Sequence, residues 1–228
     1  MTELLPVFLN LTGRTVVLVG GGPVATSKLR PLLAAGASVR IVAPEITDEI
    51  ATVVAQAIQA SSHMAGGGAP LSVAQRPFIP SDLDDAWLVV AAATPEVNRH
   101  VAEVAETLRI FVNAVDDPPN ASAYLGGVVR RDGVTIAIST SGAAPALTSL
   151  LREGIDALLP PDLATWVWRA RVARVGWRRE GVPMEARKPR LLQALNAIYD
   201  KEETVFSAVP ADRGPRVPWL NAPEDSWL

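Results

Sequence analysis

The stretch TVVLVGGGPVATSKLRPLLAAGASVRIVAPE, from Thr15 to Glu45, constrains the fold more than any other part of the chain. A β-branched run, Thr15–Val19, meets Gly20, Gly21 and Gly22 at once, and Ala25 follows three residues later. An unbroken apolar run of this length suits a strand covered on both faces. Val24, Leu29, Leu32 and Leu33 then recur at roughly helical spacing. "AAG" at Ala34–Gly36 supplies a stop, and Ser38–Val42 is a second strand-like run. Strand, glycine turn, helix and strand predict a parallel βαβ unit. Within it Gly20 permits a tight turn, Gly22 a close backbone approach to a pyrophosphate, and Ala25 a close packing of helix on strand. The helix start adds free N–H groups and the positive end of its dipole. The pattern predicts a bound dinucleotide. The second strand ends "VAPE", so the acid that would reach a ribose hydroxyl is Glu45, slightly beyond the tip. Arg40 reads as a solvated residue along that strand. The cofactor reading is NAD rather than NADP.

The remaining segments continue the alternation. Ile46–Ala60 reads as a helix, Ser61–Pro70 as a flexible loop and Leu71–Gln75 as a short strand. Ala86–Thr94 is a buried strand, Pro95–Leu108 a helix, and Ile110–Pro118 a strand with a polar end. The fold class is α/β, a Rossmann-type doubly wound parallel sheet over residues 1–118. The pattern then changes. Ala123–Thr140 reads as two strands around "RRDG". Ser141–Pro160, Asp162–Glu180 and Glu185–Lys201 read as helices, and 206–228 as an irregular tail.

Composition narrows the chemistry. Hydrophobic residues make up 49% of the 228 and charged residues 20%, which supports a buried core. The net charge of -3 gives no electrostatic case for nucleic acid or an anionic membrane. There is no cysteine, and the histidines are His63 and His100 alone, so thiolate chemistry and multi-histidine metal cages are excluded. No apolar run approaches the ~18 residues of a membrane span. A cytoplasmic protein is the expectation. A reductase built on a Tyr-x-x-x-Lys pair is disfavoured, because neither Tyr124 nor Tyr199 has a lysine four residues on.

In this order the segments resemble the siroheme synthase N-terminal module. The likeness rests on "LPVFLNLTGRTVVLVGGGPVATSKLRPLLAAGASVRIVAPE", "AWLVVAAATPEVNRHVAEVA", "IFVNAVDDP" and "VTIAISTSGAAPALTSLLREGIDALLP". "NAVDDP" followed by "ISTSGAAPAL" is its most specific part. The resemblance implies a Rossmann domain, a dimerisation region over 119–150 and a helical substrate-side region over 151–205. It implies NAD-dependent oxidation of precorrin-2 to sirohydrochlorin, ferrous iron insertion in bifunctional members, and a homodimer.

The "NxVD" motif of that family maps the catalytic aspartate, and a transient metal ligand in chelatases, onto Asp116. Without the resemblance "DDPP" is ordinary turn chemistry, and turn capping is the role expected of Asp117. Cofactor contacts carry over to Gly20, Gly22, Pro23, Val24, Pro44 and Glu45. Thr94 lines the nicotinamide side or caps the next helix, and the two roles are compatible. Thr140, at a helix start, and Arg130, Arg131 and Arg152 are the candidates for binding the substrate's carboxylates. Two segments depart from the family pattern. Gly126 and Gly127 replace bulkier residues and read as added room or added flexibility, and Trp166, Trp168 and Trp177 read as core or interface. The alternative to an enzyme is a non-catalytic NAD-binding regulatory module, which would keep the glycine turn without needing Asp116.

Overall fold

The computed structural model describes residues 3–61 and 71–203. Five strands form one parallel sheet: β1 (Thr15–Val19), β2 (Ser38–Val42), β3 (Leu71–Ala74), β4 (Leu88–Ala91) and β5 (Phe111–Ala114), in the order β3-β2-β1-β4-β5. Helices α1 (Pro23–Ala34), α2 (Asp48–Ser61) and α3 (Pro95–Leu108) make the crossovers. Side chains alternate along a strand, and here each alternation feeds a different core. Val16, Leu18, Val39 and Ile41 pack with Leu29 and Leu32 of α1 and Ile50 of α2. Val17, Val19, Val42 and Val89 pack with Val101 and Ala105 of α3. Coverage on both faces is why these strands read as continuous apolar runs rather than as alternating ones.

After the sheet come a hairpin, β6 (Gly127–Arg131) and β7 (Val134–Ile138), and three helices, α4 (Pro145–Leu158), α5 (Leu163–Arg179) and α6 (Met184–Glu203). The hairpin turns on Asp132 and Gly133, both at positive φ (51° and 81°), as a two-residue connection between twisted strands requires. The chain forms two compact units. One runs to Val129 and resumes over Thr135–Leu158; the other takes Arg130–Val134 and the chain from Leu159. In the second unit Trp166 Nε1 donates to the Tyr199 hydroxyl at 2.9 Å, and that hydroxyl donates to the Asp162 carboxylate, also at 2.9 Å, joining α6 to the start of α5. Trp166 and Tyr199 are thus a helix–helix contact, while Trp168 is 62% exposed.

Several boundaries differ from the sequence reading for local reasons. Helix α2 starts at Asp48 rather than Ile46, because the Thr47 hydroxyl accepts the Ile50 N–H at 3.3 Å in the manner of a cap. Helix α4 starts at Pro145 rather than Ser141, because Ser141 (φ 54°) and Gly142 (φ 77°) are left-handed. Gly126 and Gly127 do not add room. A Cβ on Gly126 would collide with the Ile138 carbonyl oxygen, and one on Gly127 would come within 2.8 Å of the Thr148 methyl. They are small because β7 and α4 crowd them. The loop expected at Ser61–Pro70 lies, apart from Ser61, outside the described residues, as does the expected tail.

Candidate active site

The sheet order reverses at β1, whose neighbours are β2 and β4, and open α/β sheets bind ligands at the carboxyl ends of the strands at such a point. A cleft of about 800 Å³ lies there, lined by Gly20, Gly21 and Gly22 of the β1–α1 turn, Pro44 and Glu45 after β2, and Thr94 after β4. Phe78 and His100, in edge-to-face contact at 5.7 Å, close another side.

The three glycines are glycines for three reasons. Gly20 has φ 123°, donates to the Val42 carbonyl at 2.9 Å, and has no space for a Cβ because the Ala92 carbonyl oxygen occupies it. Gly21 faces the Glu45 carbonyl oxygen just as closely, and its own carbonyl accepts the Thr47 N–H at 2.9 Å. A Cβ on Gly22 would meet no protein atom within 4 Å. Gly22 is the N-cap of α1, and no side chain caps that end. Open space beside a bare helix N-terminus is the cradle that a pyrophosphate fits. Ala25, fully buried, holds α1 against the sheet as expected. Pro23 and Val24 do not line the cleft. They form the first turn of α1, where Pro23 has no N–H to offer and Val24 is 43% exposed.

Thr94 occupies the N-cap position of α3 without a side-chain cap bond. Its hydroxyl instead meets Glu96, whose carboxyl is held below its ordinary range by its backbone N–H and by that hydroxyl. The β4 end is fixed by buried Asn98, whose Oδ1 accepts the Ala93 N–H at 3.0 Å. Arg40 is not simply solvated. It grips both oxygens of Asp85 at 2.9 and 3.2 Å and donates to the Asp82 carbonyl at 2.9 Å. The charged side chains lining the first cleft are therefore Glu45 and Glu96, with no lysine or arginine among its described lining residues.

A second cleft, of about 340 Å³, opens at the carboxyl end of β5. Asp116 lines it at φ 56°, a left-handed conformation that aspartate tolerates better than most side chains and that is uncommon outside glycine. This kink is why β5 stops at Ala114. Asp117 is the turn residue expected: its Oδ2 accepts from Asn120 Nδ2 at 2.8 Å. Asn113, 7% exposed, donates through Nδ2 to the Ala123 carbonyl at 2.9 Å, while its buried Oδ1 has no hydrogen-bond partner among the described residues. The opposite wall comes from the β7–α4 loop and α4. Thr140 Oγ1 accepts the Ala144 N–H at 3.1 Å and lies 3.0 Å from the Thr148 hydroxyl, so it closes the turn into α4 and also faces the cleft.

Arg152 lines this cleft too, half-buried, with a 3.3 Å contact to its neighbour Glu153. Arg130 and Arg131 belong to the second unit, where Arg131 donates to the Pro160 carbonyl at 3.4 Å. Lys28 and Asn113 are lining residues to which the sequence reading gave no role, and Tyr124, considered there only as a reductase tyrosine, lines the cleft as well. Among the described residues, no three His, Asp or Glu side chains gather as a resident metal site. None of the described helices is long and apolar enough to cross a membrane.

Comparison with known proteins agrees with this geometry. A family described as "Putative NAD(P)-binding" matches residues 7–127, and the sirohaem biosynthesis protein central family matches residues 131–158. The chain belongs to the siroheme synthase N-terminal module family. Siroheme synthase 2 of Klebsiella pneumoniae is 37% identical over 98% of this chain and 50% of its own length. Siroheme synthase 3 of Aeromonas hydrophila is 39% identical over 85% of this chain and 41% of its own. The chain thus spans about half, or less, of these relatives. A solved precorrin-2 dehydrogenase, SirC, shares the fold with a TM-score of 0.60 at 24% identity, over 83% of this chain and 88% of that one. The first family match spans the glycine turn and Asp116, and the second spans Thr140 and Arg152.

Proposed function

We propose that this module oxidises precorrin-2 to sirohydrochlorin with NAD in siroheme biosynthesis, and that ferrous iron insertion uses the same second cleft. The observation that carries the reading is the pairing of a glycine-turn cleft with a cleft holding Asp116, both at the carboxyl ends of one parallel sheet. Gly20, Gly22, Pro44, Glu45 and Thr94 are the cofactor-side residues. The absence of a cation among the described lining residues supports NAD, since the extra phosphate of NADP would face Glu45. When bound, NAD supplies a hydride acceptor. The oxidation removes one hydride and one proton from the macrocycle, and the Asp116 carboxylate takes the proton. Insertion of ferrous iron, a substrate here, displaces two pyrrole protons, and Asp116 serves again as acceptor or as a transient ligand.

Thr140 and Arg152 face the substrate's carboxylates. Arg130 and Arg131 are the further candidates for those carboxylates. A homodimer held by residues 119–150 goes with this reading, supported by apolar side chains left in water there: Leu125, Leu147 and Leu150 are 43%, 47% and 56% exposed. The cytoplasm is the matching compartment. Anaerobic incubation with precorrin-2 and NAD tests the proposal. NADH absorbance should rise with the sirohydrochlorin spectrum, and ferrous ion should then convert that spectrum. Dinucleotide binding without turnover would make the module a regulatory one.

A further inference from the structure

We infer that Lys28 is a substrate-binding residue of the second cleft, receiving a peripheral carboxylate of the tetrapyrrole; this rests on the function proposed above. Helix α1 begins at the glycine turn of the first cleft, yet one and a half turns on its Lys28 lines the second. The two basic residues of the helix are used differently. Arg30 is paired with Glu49 at 2.6 Å. Lys28 is half-buried and has no hydrogen bond or ion pair among the described residues. Carboxylates are close by in the lining, but Asp117 is engaged by Asn120, and no ion pair joins Lys28 to Asp116. A partly desolvated ammonium left unpaired is unfavourable unless an anion arrives to meet it. Arg152, on α4, is the one other cation among the described lining residues. Two cations from different elements give a polycarboxylate macrocycle two anchoring points and so fix its orientation over Asp116. An ammonium recognises a carboxylate as a point charge, so arginine can replace it in part.

The test compares the full chain with Lys28→Gln and Lys28→Arg. NAD affinity is read by calorimetry and precorrin-2 turnover by NADH absorbance at two ionic strengths. The expected result is unchanged NAD affinity, a KM for precorrin-2 raised about tenfold in Lys28→Gln, and substantial recovery in Lys28→Arg. The wild-type KM should also rise with salt more steeply than that of Lys28→Gln, because one charge contact to the substrate has been removed. A wild-type KM in Lys28→Gln overturns the inference and leaves the proposed function intact. An equal loss of NAD affinity overturns it too, since the residue would then act on the first cleft. Absence of precorrin-2 turnover in the wild type would instead overturn the proposed function, and the inference with it.

Discussion

The Gly21 carbonyl accepts the Thr47 N–H across 2.9 Å and so ties the glycine turn to the segment after β2. Together with the close approach of Glu45, this makes Gly21 a structural glycine, whereas Gly22 borders open space. Gly21→Ala should destabilise the fold by about 1–3 kcal/mol through overpacking, read as a lowered Tm. Gly22→Asp should fold normally and lose dinucleotide binding by calorimetry, because its carboxylate would occupy the place of the phosphates. Wild-type NAD affinity in Gly22→Asp would remove the cofactor assignment.

The absence of lysine and arginine among the described lining residues of the first cleft predicts a cofactor preference. Turnover with NADP should fall at least about tenfold below that with NAD, from contacts with the additional phosphate that are unpaired or repulsive. Equal kcat/KM values for the two would count against the Glu45 reading.

Acid stability should depend on a pair that lines neither cleft. Buried Asp82 receives both terminal nitrogens of Arg76, at 2.6 and 2.8 Å, and the Ile79 N–H at 3.0 Å. The bond from Arg76 is the main cause that holds its carboxyl below the ordinary range, with the Ile79 N–H and the Arg76 and Arg40 charges adding to it against burial. A depressed folded-state pKa means stability that is present above the unfolded value of about 3.9 and lost as pH falls through the folded one. Asp82→Asn should cost roughly 1–3 kcal/mol at neutral pH and flatten the fall in Tm below about pH 4. A variant whose Tm follows the wild-type acid profile would refute this.

The exposed leucines of α4 predict an assembly. Light scattering at micromolar concentration should give twice the chain mass, and Leu150→Asp should shift it toward the monomer by placing a charge in an apolar contact. A monomeric wild type would contradict the dimer.

Much of this was legible in the sequence because local chemistry and tertiary context agree there. β1, β2 and α3 have the bounds read from the sequence, and Pro95 opens α3 as its first-turn proline. What escaped depends on distant neighbours. Gly21 received no role from the sequence, because its constraint is a carbonyl 24 residues away, that of Glu45. Arg40 looked solvated because its partner, Asp85, lies 45 residues on. Gly126 and Gly127 looked spacious because β7 and α4, which crowd them, come later in the chain. Lys28 was unremarkable within an amphipathic helix; only the fold brings α1 beside the end of β5. Asp116 was the opposite case, marked by its motif before any geometry was known.

The central claim is that Asp116 is the proton acceptor, and paired amide substitutions test it most directly. Asparagine tolerates the left-handed backbone at this position but accepts no proton at neutral pH. Asp116→Asn should keep its Tm and its NAD affinity while anaerobic precorrin-2 turnover falls by ~100- to ~10,000-fold, the usual value of a positioned general base. Asp117→Asn, whose side-chain oxygen can still accept from Asn120, should turn over like the wild type. Near-normal turnover in Asp116→Asn, or loss of turnover confined to Asp117→Asn, would contradict the account.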